Sequence, residues 1–195
     1  DVIGVTMQVW DYTQNTCDIK EGNGTCCSST DVDDARAVAD ELGIRFYVIN
    51  CEKEFKAHVI DDFIGNYLVG KTPIPCVNCN TYLKFDHLIK KMQELDCDYL
   101  ATGHYAQIKK SPTGRNGIVT SSDDWKDQTY FLFTMKNELL DKLMFPVGDI
   151  EKPLVRDLAT KFNLPVAKKK DSTGICFIGK SGYQGFVDKH APKDL

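Results

Sequence analysis

The sequence predicts an α/β protein built on a doubly wound parallel sheet. Three observations carry this. Between residues 1 and 103, apolar β-branched runs alternate with helical repeats in the order strand, helix, strand, helix, helix, strand. Glycines stand where two of the helical repeats stop. The chain has 195 residues, 42% hydrophobic and 27% charged, which suits one good-sized core and part of another.

The elements follow in order. "VIGVTMQV" (2–9) is rich in β-branched residues and predicts the first strand. Ser29 or Thr30 can cap a helix through Leu42, with Val32, Ala35, Ala39 and Leu42 on one face and Gly43 as its stop. "IRFYVIN" (44–50) reads as a second strand, and Phe55, Val59, Phe63 and Tyr67 then recur every four residues up to Gly70. A stiff loop, "TPIPCVNCN" (72–80), precedes a helix marked by Phe85, Leu88, Met92 and Leu95. "DYLATG" (98–103) predicts a short strand ending in Gly-His. Residues 109–127 read as a surface loop or short hairpin, and "QTYFLFTM" and "ELLDKLMF" as packed helices. Leu154, Leu158 and Phe162 give one more helical face, with Pro153 in its first turn. No internal repeat or low-complexity tract is visible.

Charge and composition narrow the function classes. The net charge of −4 argues against a wholesale nucleic-acid coat and leaves room for a local basic surface at Lys109-Lys110 or Lys168–Lys170. No apolar run approaches the roughly 18 residues of a membrane span, and no signal peptide is visible. The opening without Met and the abrupt end read as a piece of a longer chain. Eight cysteines without a secretory signal favour a reducing, cytoplasmic setting, with Cys51 and Cys97 as core residues. Cys17, Cys26 and Cys27 form a trio that a metal could use.

Four stretches bear chemistry. Cys76 and Cys79 could belong to a zinc site, a redox pair or a buried loop, or could be reactive thiols held by Pro73 and Pro75. Cys176 in "KKKDSTGICFIGK" follows three lysines, which would favour its thiolate, although on local grounds a core cysteine before Phe-Ile is the better reading. In "ATGHYA", Gly103 at a strand end would let a ligand approach the backbone, and His104 could be a buried core histidine. "KDQTYFL" joins a cation, a carboxylate and an amide at a helix start. In an open α/β sheet, ligands sit at the carboxyl ends of strands, which is where Met7 and Gly103 fall.

Together, "GVTMQVWD", "TPIPCVNCN", "KF", "DYLATGHYA", "KDQTYFLF", "FPVGDIEKPLVRDLA" and "KKKDSTGICFIGK" resemble, in order and spacing, the tRNA-specific 2-thiouridylases of bacteria and mitochondria (the MnmA/TrmU family). The resemblance covers almost the whole chain. It implies a Rossmann-like fold of the adenine nucleotide alpha hydrolase, or ATP-pyrophosphatase, type. It implies a sulfurtransferase that uses ATP and Mg²⁺ to adenylate the 2-oxygen of the wobble uridine of tRNA. A persulfide sulfur from a relay protein then displaces AMP. The tRNAs for Glu, Gln and Lys are the expected acceptors. By the same resemblance Cys79 is the nucleophile and Cys176 carries the persulfide, the two ending as a disulfide. Met7 and Gly103 line the ATP site, Ile74, Pro75 and Cys76 meet the target base, and Lys126, Asp127 and Gln128 touch tRNA.

Two departures qualify the resemblance. The family's phosphate-binding loop, of the SGGVDSS kind, lies upstream of the first residue here, and its C-terminal β-barrel is missing. The isolated chain is therefore expected to be inactive, with a catalytic domain over 1–175 and a catalytic-cysteine segment over 176–195. Cys76 also stands where many relatives have Asp. Cys76, Cys79 and Cys176 are thus candidate ligands of a 4Fe–4S cluster. The alternatives are another ATP-pyrophosphatase-fold ligase, or a catalytically incomplete tRNA- or metal-binding fragment.

Overall fold

The computed structural model describes residues 1–9, 29–171, 174–179 and 181–192. The cysteine trio at 17, 26 and 27 lies outside the described residues. The described chain forms two compact units, one from residues 1–75 and 163–195, the other from 76–162.

The first unit is built on a β-α-β crossover. Strand β1 (Ile3–Gln8) pairs in parallel with β2 (Arg45–Asn50), Met7 opposite Ile49, and α1 (Ser29–Leu42) connects them. Gly43 ends α1 at φ +64°, and Ile44 N–H returns to the Ala39 carbonyl at 3.0 Å. Only a residue without a β-carbon adopts that left-handed turn at no cost. Helix α2 spans residues 52–68, running as α over Glu52–Phe55, as a wider π turn over Lys56–Ile60 and as α again over Asp61–Leu68. The predicted spacing of four puts Phe55, Val59 and Phe63 inside. Phe55 and Phe63 meet Phe177, and Phe63 also meets Phe186 on a helix over Gly182–His190, where Val187 is buried too. That last helix carries no strong periodic signal and is absent from the sequence-based expectation. Lys169 links to Asp31 and Asp34 on α1, so one of the three consecutive lysines is engaged by the fold.

The second unit opens with a correction. Residues 75–80 of the expected loop are helical. Helix α3 spans residues 75–94, as α over Pro75–Asn78, π over Cys79–His87 and α over Leu88–Glu94. Pro75 is its first residue, a position where proline's fixed φ and missing N–H cost nothing. The predicted third strand shrinks to β3 (Leu100–Ala101), which pairs in parallel with β6 (Leu143–Met144). Strands β4 (Gln107–Lys110) and β5 (Asn116–Val119) form the short hairpin. The two expected helices at 128–145 are 3₁₀ turns, Thr129–Leu132 and Asn137–Lys142, the second leading straight into β6. Leu132, Leu140, Leu143 and Phe145 are buried against Phe85, Ile89, Met92 and Ala106, so apolar content there marks core contact without helical periodicity. Helix α4 (Lys152–Lys161) carries Pro153 in its first turn as expected. Both core cysteines hold: Cys51 is buried and Cys97 packs against the second unit's core.

Candidate active site

In the second unit, the first turns of α3 carry the paired cysteines. Val77, Asn80 and Leu83 form its buried face, while Cys76 and Cys79 lie beside that face, half-buried. Residues three apart in a helix share a side, so the two thiols project together. The helix is fixed from outside. Asn80 Nδ2 donates to the Phe131 carbonyl at 3.0 Å, and Thr81 Oγ1 lies 2.6 Å from Thr134 Oγ1. Pro75 is buried and Ile74 exposed, so the target-base trio assigned by resemblance runs from solvent into the helix start.

The segment after β3 forms a polar shelf. His104 is buried between the rings of Phe85 and Phe145, with centroids 5.6 and 5.8 Å away. Lys84 Nζ stands 3.5 Å from its Nε2, and Thr102 Oγ1 is 2.8 Å from its Nδ1. An ammonium can only donate, so Nε2 faces it as the acceptor, and Nδ1 carries the proton and donates to Thr102. Burial, and secondarily the charge of Lys84, push the imidazole down to about 3, so it is neutral at physiological pH. Sequence reasoning recognised His104 as a core histidine, but not that Lys84 of the "KF" motif would sit against it. Gly103, next to it, is exposed, and no heavy atom lies within 4 Å of where a β-carbon would be. Its backbone is open to a ligand.

Lys126, Asp127 and Gln128 stand on a turn that the fold itself consumes. Gln128 exchanges two hydrogen bonds with Tyr105: its N–H donates to the Tyr105 carbonyl at 2.9 Å, and its Oε1 accepts the Tyr105 N–H at 3.0 Å. Asp127 accepts from the N–H groups of Ser121 (2.7 Å) and Thr129 (3.1 Å) and from the Thr129 hydroxyl. Burial would raise its pKa, but those hydrogen bonds outweigh burial and lower it. Asp123, which sequence reasoning passed over, accepts from the N–H groups of Trp125, Lys126 and Lys152. Its signal was an aspartate whose side chain reaches the amide two residues on, the usual Asx turn.

In the first unit, Met7 is buried on β1. Cys176 is half-buried, and the residue after it, Phe177, is set among Phe55, Phe63 and Phe186 with centroids 5.0 to 5.7 Å apart. That anchor fixes where Cys176 emerges. Cys76, Cys79 and Cys176 are all thiols. Two thiolates from one helix side suit soft metals, but among the described residues no three His, Cys, Asp or Glu side chains gather as a metal-binding group. Among the described residues, no helix is long and apolar enough to cross a membrane.

Comparison with known proteins gives one consistent answer. The family model described as the tRNA methyl transferase HUP domain matches residues 1–180. The chain is 48% identical over 188 residues to a tRNA-specific 2-thiouridylase MnmA from Geobacter metallireducens, covering 96% of this chain and 51% of that protein. It is 47% identical to proteins of the same name from Geotalea uraniireducens and Clostridioides difficile, covering all of this chain and 52% and 53% of theirs. The chain thus spans about half the length of the curated relatives it matches.

Proposed function

The chain belongs to the tRNA methyl transferase HUP domain family, and from that membership we propose that it is the catalytic half of a tRNA-uridine 2-sulfurtransferase. The observation that carries this reading is near-50% identity, end to end, with proteins named tRNA-specific 2-thiouridylase. In the reaction, the 2-oxygen of the wobble uridine attacks the α-phosphorus of ATP, pyrophosphate leaves, and the oxygen becomes part of an AMP leaving group. Mg²⁺ accompanies the nucleotide. The Cys79 thiolate attacks Cys176 Sγ of its persulfide, which breaks the S–S bond, frees the outer sulfur as sulfide and leaves a Cys79–Cys176 disulfide to be reduced before the next cycle. That sulfide attacks the activated carbon, and AMP departs with the former 2-oxygen.

Specific features support these roles. The thiol of Cys79 is held on a helix tied down on two sides, which lowers the ordering cost of a reactive geometry. The open backbone at Gly103 suits close approach by the nucleotide. Met7 is assigned to the same nucleotide, Ile74, Pro75 and Cys76 to the target base, and Lys126, Asp127 and Gln128 to tRNA. Cys76, Cys79 and Cys176 are also the candidate ligands of a 4Fe–4S cluster, and iron and sulfide near stoichiometry in an anaerobic full-length preparation would favour that route over the persulfide. The substrates are the tRNAs for Glu, Gln and Lys, the sulfur donor is a cytoplasmic persulfide relay protein, and the enzyme works in the cytoplasm. The test is 2-thiouridine in bulk tRNA, measured by mass spectrometry, from a strain without the gene. Its loss, restored by the full-length gene, is expected; unchanged thiolation would overturn the proposal.

A further inference from the structure

Helix α3 carries three lysines, and one of them is set apart from the other two. Lys90 pairs with Asp86 at 3.0 Å and Lys91 with Glu94, each an acid of the same helix. Lys84 is half-buried and meets no carboxylate among the described residues. Its Nζ lies instead 3.5 Å from His104 Nε2. That ring supplies no charge: it is buried between Phe85 and Phe145, its Nδ1 is committed to Thr102, and it is neutral at physiological pH. A half-buried ammonium beside a neutral acceptor is uncompensated, and such a charge is costly until an anion joins it. The ring accepts one of its three protons at most, so the others are left for that anion.

We propose that Lys84 binds the α-phosphate of the nucleotide. This rests on the ATP-dependent reaction proposed above and adds to it a phosphate ligand that neither the cysteines nor Gly103 supplies. The position of the ammonium supports it. His104 directly follows Gly103, whose exposed backbone has no heavy atom within 4 Å of a β-carbon position. Lys84 therefore stands beside the residue next to the backbone assigned to the nucleotide, while it belongs to the same helix as Cys79. In the activated intermediate the α-phosphorus is the atom that joins nucleotide to target base. A cation for its oxygens belongs between the nucleotide's shelf and the helix of the thiols, and Lys84 links those two elements. The neutral state of His104 is part of the arrangement. A charged imidazole would repel the ammonium, whereas the neutral ring offers Nε2 as an acceptor and leaves the positive charge to the phosphate.

AMP carries only the α-phosphate and adenosine carries none, so this pair of ligands isolates the contact. Calorimetric titration of the full-length protein should show AMP as the tighter of the two. Lys84→Met keeps the aliphatic stem and removes the charge. It should weaken AMP binding about 10- to 100-fold and leave adenosine binding unchanged. Lys84→Arg, which restores a cation, should recover part of the loss. If Lys84→Met does not fold, Lys84→Gln, whose amide can still donate to the His104 ring, makes the same comparison. Undiminished AMP binding by the neutral variant overturns the phosphate contact and leaves the sulfurtransferase reading standing. Equal weakening of AMP and adenosine does the same, since it marks a lysine that only supports the fold. Unchanged AMP affinity with weakened tRNA binding also overturns it, by placing Lys84 on an RNA phosphate. A parent protein that binds neither AMP nor ATP overturns both proposals.

Discussion

A neutral histidine beside an ammonium makes the stability of the second unit depend on pH. Unfolded, His104 takes up a proton near pH 6.5; folded, it resists until about 3, because burial and Lys84 oppose a second positive charge. The unfolded chain therefore binds the extra proton throughout that window, and stability falls as pH drops through it, by about 1.4 kcal/mol per pH unit at most. His190, lowered by its own burial and by Lys189 and Lys56, acts in the same direction on the first unit. Urea titrations at pH 7.5 and 4.5 should show the loss, and His104→Asn should shrink the difference between the two midpoints while lowering both. Gly148 offers a steric counterpart. A β-carbon there would lie 1.7 Å from the Ala106 carbonyl oxygen, so Gly148→Ala should cost about 3 kcal/mol or more in the same titrations. At the sulfur chemistry, Cys79→Ser and Cys176→Ser should each abolish thiolation in the full-length enzyme, because a hydroxyl neither carries persulfide nor attacks one. Cys76→Ser should leave thiolation measurable by mass spectrometry; complete loss would instead point to a cluster. The cysteines, Gly103 and His104 were legible as residue types, but the Lys84 contact was not, since twenty residues separate the partners.

At the scale of elements, legibility followed periodicity. Helix α2 was readable because Phe55, Val59 and Phe63 repeat every four residues and are buried, and β1 and β2 because they are runs of β-branched and aromatic residues. Strand β6 is two residues long, and no window can distinguish it from the apolar turn before it. The start of α3 was misread because Pro-x-Pro suggests a loop, although Pro75 at a first helical position is also a recognised start signal. That misreading bears on the site: thiols on a loop adapt, whereas thiols on a braced helix keep one spacing. The bracing is testable. Asn80→Ala removes the bond to the Phe131 carbonyl from a residue 4% exposed, leaving that acceptor short of a partner. It should cost about 1–3 kcal/mol. It should also slow thiolation more than it weakens tRNA binding, a split that steady-state kinetics would read as a fall in kcat with KM little changed.

The whole molecule is assembled against the order of its sequence. One unit is closed by residues from both ends of the chain, and the other is a continuous insertion between them. Sequence patterning shows which segments are apolar, but not that Phe177, far along the chain, completes a cluster begun by Phe55 and Phe63. The same division assigns Cys176 to the first unit and Cys79 to the second, so the proposed chemistry needs both units folded at once. Phe177 is 2% exposed, and Phe177→Ala should cost about 3–5 kcal/mol through lost burial and a cavity. Hydrogen exchange followed by mass spectrometry can show where that loss is felt. Amides of β1 and β2 should lose protection, because their unit depends on the cluster. Amides of β4 and β5 should keep theirs, because their core is drawn from Phe85, Ile89, Leu132 and their neighbours within one stretch of chain. Equal loss in both sets would mean that the two units unfold as one cooperative block, and that the chain's two ends stabilise the insertion as well as each other.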